Sequence, residues 1–250
     1  MNSKRVMLRV AYDGTGYHGW QIQPNANTIE AELNKHLSEL LKEEIHVIGA
    51  SRTDAGVHAL GNVAVFDTTA RMPGEKISYA LNQRLPEDIR IQESKEVASD
   101  FHPRHCSSEK TYEYHIYNSR FPMPIGRQYH YFTYYHMDVD KMREAAAYLV
   151  GEHDFKSFCS IKTEAETTVR HIYRIDIVEH GCEIILRISG GGFLYNMVLI
   201  IAGTLMQVAQ GFYEPEHVKE ILEACDREQA GPTAPACGLT LVGIKFNEEE

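Results

Sequence analysis

The 250-residue chain lacks the cysteine pattern that a disulfide framework or a structural zinc site requires. Its five cysteines, Cys106, Cys159, Cys182, Cys225 and Cys237, are odd in number, and no two stand as C-x-x-C. A reducing, cytoplasmic environment is the expectation. A long apolar run is missing as well. Met1-Asn2-Ser3-Lys4-Arg5 leads straight into a strand-like segment, without the apolar h-region of a signal peptide. The most apolar stretch, Phe193 to Ala209, is broken by Asn196, Thr204 and Gln207 and is short for a membrane span, so a buried core helix is expected there. A basic excess is also absent. Lys and Arg number 25 against 35 Asp and Glu, a net charge of −10. That argues against indiscriminate binding to nucleic acid but leaves room for a local basic groove.

Several chemistries drop out for want of their motifs. There is no G-x-S-x-G elbow, no P-loop, and no H-x-E followed by P-C-x-x-C of the zinc deaminases. Among thirteen histidines the closest candidate pair is His102-x-x-His105, which has no third ligand nearby, so no metal is expected. Gly14-Thr15-Gly16-Tyr17-His18-Gly19 fits G-x-G-x-x-G after a strand, but Pro24 delays the next helix to about Asn27 and the acidic partner is missing. A dinucleotide site needs both. The segment reads as a flexible glycine loop, with Tyr17 and Trp20 available as stacking surfaces for bases.

What is present is the composition of a soluble globular protein, 43% hydrophobic and 24% charged, with enough length to bury a core. Val6 to Tyr12 is a strand. Asn27, with Glu30 three residues on, starts a helix carrying Ile29, Leu33, Leu37 and Leu40/Leu41 at helical spacing. Two apolar runs, His46 to Ala50 and Asn62 to Phe66, flank a loop. A helix over Glu75 to Arg84 and a strand over Ile89 to Ala98 complete β-α-β-β-α-β, the split ferredoxin-like arrangement that RNA-recognition folds also use. The second half repeats the plan more loosely. It has strands at Thr111 to Tyr117, Val169 to Glu179, Cys182 to Ser189 and Leu239 to Phe246. Its helices fall at Val139 to Val150, Phe193 to Gln210 and Glu216 to Cys225. The expected fold is α+β: two ferredoxin-like halves, 1–105 and 106–250, sharing a mostly antiparallel sheet with helices packed on it and a cleft between them. Such a cleft is a favoured place for a site.

Ser51-Arg52-Thr53-Asp54-Ala55-Gly56-Val57-His58-Ala59, in the first of these loops, is the most informative stretch. As a bare pattern it is a tight turn, with Asp54 bonding its own backbone and Gly56 supplying a positive φ. A loop on a rigid sheet is also where catalytic groups tend to sit. Lys110-Thr111-Tyr112-Glu113-Tyr114 is a strand with Tyr112 and Tyr114 on one face. Ser189-Gly190-Gly191-Gly192-Phe193 is a glycine-rich turn into a helix, suited either to close packing or to a ligand's approach to the backbone.

The string Ala50 to Ala59 closely resembles the catalytic motif of the tRNA pseudouridine synthase A family. Other segments agree in order and spacing, among them Tyr12-Asp13-Gly14 with Gly19-Trp20-Gln21-Ile22-Gln23, Phe101-His102-Pro103-Arg104, Lys110 to Tyr114, and Gly192-Phe193-Leu194-Tyr195-Asn196-Met197-Val198. The resemblance implies an isomerase that turns uridine into pseudouridine in the anticodon stem-loop of tRNA, at positions 38 to 40. It implies no cofactor, no metal, and a homodimer with RNA lying across both subunits. Asp54 then matches the essential aspartate, Tyr112 the tyrosine that stacks on the target base, and Arg52 the arginine that helps displace that base. Thr53, His58, Phe193 and Leu199 fall among the expected substrate-binding positions. Whether the carboxylate attacks C1′, attacks C6 or removes the C2′ proton stays open, as does a proton relay through Tyr112.

The chain departs from the family pattern at three places. Leu199 stands where an arginine usually pairs with the catalytic aspartate, and a lost cation alters a carboxylate's placement and protonation. Pro232 and Cys237 replace an arginine and a histidine near the end. Two alternatives therefore stay open beside the tRNA reading: a paralogue acting on another RNA, and a catalytically silent RNA-binding protein.

Overall fold

A computed structural model describes residues 3–160 and 166–246. Strands β1 (Lys4–Tyr12), β2 (Ile48–Gly49), β3 (His58–Thr68) and β4 (Ile89–Val97) come first, with helices α1 (Ile29–Leu41) and α2 (Gly74–Leu81) between them. Then follow β5 (Ser108–Asn118), β6 (Tyr131–Thr133), α3 (Val139–Ala147), β7 (Gly151–Asp154), β8 (Val169–His180), β9 (Glu183–Gly190), α4 (Met197–Ala209), α5 (His217–Ala224) and β10 (Leu239–Phe246). The chain forms two compact units. One is Met1–Ser108 with Leu241–Glu250, and the other is Glu109–Thr240. The fold class is α+β.

In the first unit β1 lies between β3 and β4, antiparallel to both. β10 and the short β2 also pair with β3. The β-α-β-β-α-β order read from the sequence is the order observed. Register decides which side chains share a face: Met7 opposes Val65, while Leu8 opposes Ala64. Met7, Val63, Val65 and Ala50 form one apolar cluster, capped by Ile48, Val97, Phe101, Ile244 and Phe246. The other face, with Val6, Leu8, Val10, Ala64 and Phe66, is also buried, as are Ile29, Leu33, Leu37 and Leu41 of α1 and Ile77 and Leu81 of α2. Two buried helical rows and one buried sheet face make a two-layer core. α2 is fastened to β4 by hydrogen bonds, since Ser94 Oγ accepts from Ser78 N–H at 2.9 Å and donates to the Gly74 carbonyl at 2.7 Å. The helix α1 is capped one residue later than its sequence suggests. Thr28, not Asn27, stands in extended conformation and accepts from the Ala31 N–H. Its branched hydroxyl reaches the first turn without help from a Glu.

In the second unit the strand order is β5-β9-β8-β7, all antiparallel pairs, with β6 running parallel on β5. Residues 131–133 and 151–154 carry too few residues for a period-2 pattern, which is why β6 and β7 escape a reading by alternation. The apolar segment after β9 becomes helical at Met197, not at Phe193. Asn196 sits at φ 59°, a left-handed position that delays the first turn. Once started, α4 is buried on nearly every side. That is the signature of an interior helix and explains its lack of polar periodicity. Among the described residues, no helix is long and apolar enough to cross a membrane.

Candidate active site

The loop from Ala50 to Val57 leaves β2 and returns into β3 within the first unit. Ala50 N–H donates to the Val63 carbonyl at 2.7 Å, the last ladder bond before the strands part. Val57 N–H closes onto the Asp54 carbonyl at 3.1 Å, and Gly56 takes φ +78° to allow that turn. The result alternates in exposure. Ser51 and Thr53 point into the protein, Arg52 is exposed, and Asp54 is half-buried. Asp54 is thus partly accessible on a fixed backbone.

The glycine loop holds it there. Trp20 N–H donates to the Thr53 carbonyl at 3.0 Å, and Gly56 N–H to the Tyr17 carbonyl at 3.2 Å. The two loops lie so close that a Cβ on Gly14 would come 2.1 Å from the Val57 oxygen, and one on Gly19 would come 2.6 Å from the Thr53 oxygen. Gly19 also needs its φ of +89°. So the expected flexible loop is instead a clamp, and its glycines serve contact between two backbones. The stacking role expected of Tyr17 and Trp20 is corrected by their burial, with 5% and 1% of their surface exposed. Trp20 covers Gly49, where a Cβ would lie 2.4 Å from its ring. Tyr17 donates its hydroxyl to Asp88 at 2.7 Å. Burial, reinforced by that carboxylate, pushes the phenol well above its usual pKa and keeps it a donor.

His58 opens β3 and is buried. Its Nδ1 accepts from Gly14 N–H at 3.0 Å, with Asp13 Oδ1 3.2 Å away. It reaches back to the start of the glycine loop. Thr53 also turns inward, its Oγ1 2.7 Å from the Tyr12 hydroxyl. Asn62 Nδ2 then donates to that hydroxyl at 3.2 Å and to the Ser51 carbonyl at 3.0 Å. Asn62 was not singled out by motif reading, and Tyr12 entered only as part of the Tyr12-Asp13-Gly14 segment. The available signal was Asn62 itself, an amide at the head of the apolar run Asn62-Val63-Ala64-Val65-Phe66, where a buried polar group must find partners.

The remaining candidates sit in the second unit. Tyr112 on β5 opposes Ile188 on β9, and Tyr114 opposes Leu186. Tyr112 is 8% exposed and meets Phe193 edge to face, ring centroids 5.3 Å apart at 86°. Tyr114 is fully interior and donates to the Pro235 carbonyl at 3.0 Å, so it serves packing. Leu199, 3% exposed, lies in the first turn of α4, and its carbonyl accepts from Ala234 N–H at 3.1 Å. The segment carrying Pro232 is pressed onto this helix. A Cβ on Gly203 would fall 1.8 Å from the Pro232 oxygen, and Gly231 N–H donates to Thr204 Oγ1 at 3.0 Å. Cys237 is half-buried, which pushes its thiol up toward the neutral form. Thus Arg52, Thr53, Asp54 and His58 gather on one braced loop, Tyr112 and Phe193 form an aromatic pair, and Leu199 belongs to an apolar helix.

A family model described as tRNA pseudouridine synthase matches residues 9–105 and 145–247. Those spans contain both glycine-rich turns and the Asp54 loop. The chain therefore belongs to the tRNA pseudouridine synthase family, whose members are isomerases acting on RNA. More particularly, it is 46% identical to a tRNA pseudouridine synthase A from Acetivibrio thermocellus over 97% of this chain and 100% of that one. It is 44% identical to one from Caldicellulosiruptor bescii and 46% to one from Brevibacillus brevis, with the same coverage. A solved archaeal box H/ACA sRNP Nop10-Cbf5 complex aligns over 96% of this chain and 49% of that one, at 12% identity and a TM-score of 0.33. The chain is an enzyme that isomerises uridine in tRNA.

Proposed function

We propose that this chain makes pseudouridine in the anticodon stem-loop, at positions 38 to 40, with Asp54 as the catalytic carboxylate. The observation that carries the reading is the contrast within the loop: Thr53 and Ser51 are buried and bonded, while Asp54 between them and solvent stays half-buried on a clamped backbone. A catalytic group needs that combination of access and fixed position. Uridine and pseudouridine are isomers, so the exchange of a C1′–N1 bond for a C1′–C5 bond calls for no redox partner and no atoms from elsewhere. The base must first leave its stack. Arg52, exposed beside Asp54, is assigned to displacing it and holding the strand. Tyr112, its ring steadied by Phe193, is assigned to the detached uracil, which keeps a π-face whichever way it turns. His58 and Thr53 support the loop from inside, and Leu199 shapes the apolar wall. The working form is proposed to be a homodimer in the cytoplasm.

A second reading, a synthase redirected to another RNA, is favoured by Leu199 and Pro232. Leu199 is buried in an apolar helix, and Leu199 and Pro232 stand at positions where the family pattern has arginines. One experiment separates the two. Unmodified tRNA transcripts bearing uridine at 38, 39 or 40 are incubated with the wild-type protein and with Asp54→Ala, and pseudouridine is mapped by position. Product at those sites with the wild type alone is expected. Product only elsewhere, or only in other RNAs, would favour the second reading, and product with Asp54→Ala would remove that residue's role.

A further inference from the structure

We propose that Asn62 and Tyr12 are positioning residues for the isomerisation, acting through Ser51 and Thr53 to set the place of the Asp54 carboxylate. The inference rests on the assignment of Asp54 as the reacting group.

The hydrogen bonds of the Asn62 amide have a fixed direction. The Asn62 amide nitrogen can only donate, and it has two protons. One goes to the Ser51 carbonyl at 3.0 Å and the other to the Tyr12 oxygen at 3.2 Å. The amide oxygen accepts from Val63 N–H at 2.9 Å, which sets which end of the amide is nitrogen. The Tyr12 hydroxyl, which accepts from Asn62, also shares a hydrogen bond with Thr53 Oγ1 at 2.7 Å, in which either oxygen can donate. The bonded series links Asn62, Tyr12 and Thr53. It grips the two residues that flank Arg52, the second of them immediately before Asp54.

The surroundings give this grip its stiffness. Asn62 has no exposed surface, and Tyr12 has 4%. Asn62 belongs to β3, where Val10 of β1 is its partner across the ladder, so its origin is as rigid as the sheet. The Tyr12 ring lies against Trp20, centroids 6.0 Å apart, and Trp20 N–H holds the Thr53 carbonyl from the other side. Thr53 is thus bonded at its side chain by Tyr12 and at its backbone by Trp20. In a low-dielectric interior such a bonded series resists rearrangement, since breaking a buried hydrogen bond is costly there. Asp54 inherits its position from that series, although it is itself only half-buried.

A purely structural role would lower the melting temperature and leave turnover per folded molecule unchanged. A positioning role lowers kcat while leaving KM for tRNA in place, because an exposed RNA-contact surface is untouched. Tyr12→Phe removes one oxygen and keeps the ring on Trp20. Asn62→Leu is the second variant, which removes both donors at similar volume. Steady-state kinetics on a tRNA transcript, with melting curves to confirm folding, are measured for both, for Thr53→Val, for Tyr12→Phe with Thr53→Val, and for Asp54→Ala. The expected result is a fall in kcat of about ten- to a hundredfold with KM within about twofold, the scale of loss that a small misplacement of a reacting group causes. The double variant is expected to be no slower than the slower single, as holds when one residue acts through the other. Folded Tyr12→Phe and Asn62→Leu with wild-type kcat, beside an inactive Asp54→Ala, would overturn this inference alone. Fully additive losses in the double variant would overturn the route through Thr53. Wild-type turnover by Asp54→Ala would overturn the underlying assignment.

Discussion

The two regions that carry the candidate residues are built on opposite principles. Around Asp54 the first unit uses hydrogen bonds and backbone contact: Trp20 and Tyr17 backbone groups, the Tyr12 and Thr53 hydroxyls, the Asn62 amide, and two glycines that bring chain against chain. Around Tyr112 and Leu199 the second unit uses apolar volume, with an aromatic edge-to-face pair and a helix buried on nearly all sides. Hydrogen bonds fix direction as well as distance, whereas packing fixes position but tolerates swaps of similar shape. The role proposed for Asp54, meeting one atom of a ribose or base, calls for the first kind of support. The role proposed for Tyr112, holding a turning uracil, is served by the second.

That contrast breaks most sharply at the glycines. Gly19→Ala places a Cβ 2.6 Å from the Thr53 oxygen on a residue at φ +89°. Its expected cost is about 2–4 kcal/mol of stability, with most activity lost, since both strain and a backbone clash must be relieved by moving the Asp54 loop. Gly192→Ala, with nothing within 4 Å of the added atom, is the control, and little change is expected. Melting curves and turnover of the pair decide it, and equal effects would erase the distinction between clamp and turn. Next in size is Leu199→Ala. Cavity formation in the apolar helix should cost about 2–4 kcal/mol by denaturant titration. A measured loss under half a kilocalorie would mean that the side chain is not packed as described.

Smaller effects sharpen the second region. Phe193→Ala removes the edge-to-face partner of Tyr112, an interaction worth about 1 kcal/mol beyond burial. A modest drop in kcat is expected, with Tyr112→Leu on the Phe193→Ala background adding less than it does alone. Equal losses on both backgrounds would uncouple the rings. The smallest concerns the rim of the first unit. Arg5 donates from Nε and Nη2 to the two Asp67 oxygens at 2.8 and 2.7 Å. The hydrogen bond from Arg5 holds the Asp67 carboxyl below its usual range. A depressed carboxylate contributes stability above its ordinary pKa and loses it as pH falls through the lowered, folded-state value. Half the Asp67 side chain is exposed, so about 0.5 kcal/mol is expected. Melting curves from pH 6 to 2 should show Asp67→Asn less stable at the upper end and converging with wild type in acid. Parallel curves would remove the pair from the account.

Element order in the first unit was legible because its helices have clean periods and its strands are rich in strand formers bounded by turn residues, and the Asp54 loop was legible because its string is so specific. What stayed hidden has physical reasons. G-x-G-x-x-G reads the same whether its glycines face a phosphate or another loop, and only the fold shows Val57 and Thr53 on the far side of Gly14 and Gly19. Trp20 and Tyr17 carry the same ring whether buried or exposed, so their stacking role could not be judged from composition. Tyr12 and Asn62 stand 50 residues apart and meet only through β1 against β3. No local window contains both.

The most direct test is a single-turnover experiment with enzyme in excess over tRNA, comparing wild type with Asp54→Asn and measuring RNA binding separately. The expected result is binding within a few-fold of wild type and conversion slowed by at least about a thousandfold, the size of loss typical when a reacting group is removed. Conversion at an undiminished rate with the amide in place would contradict the claim that this carboxylate performs the chemistry.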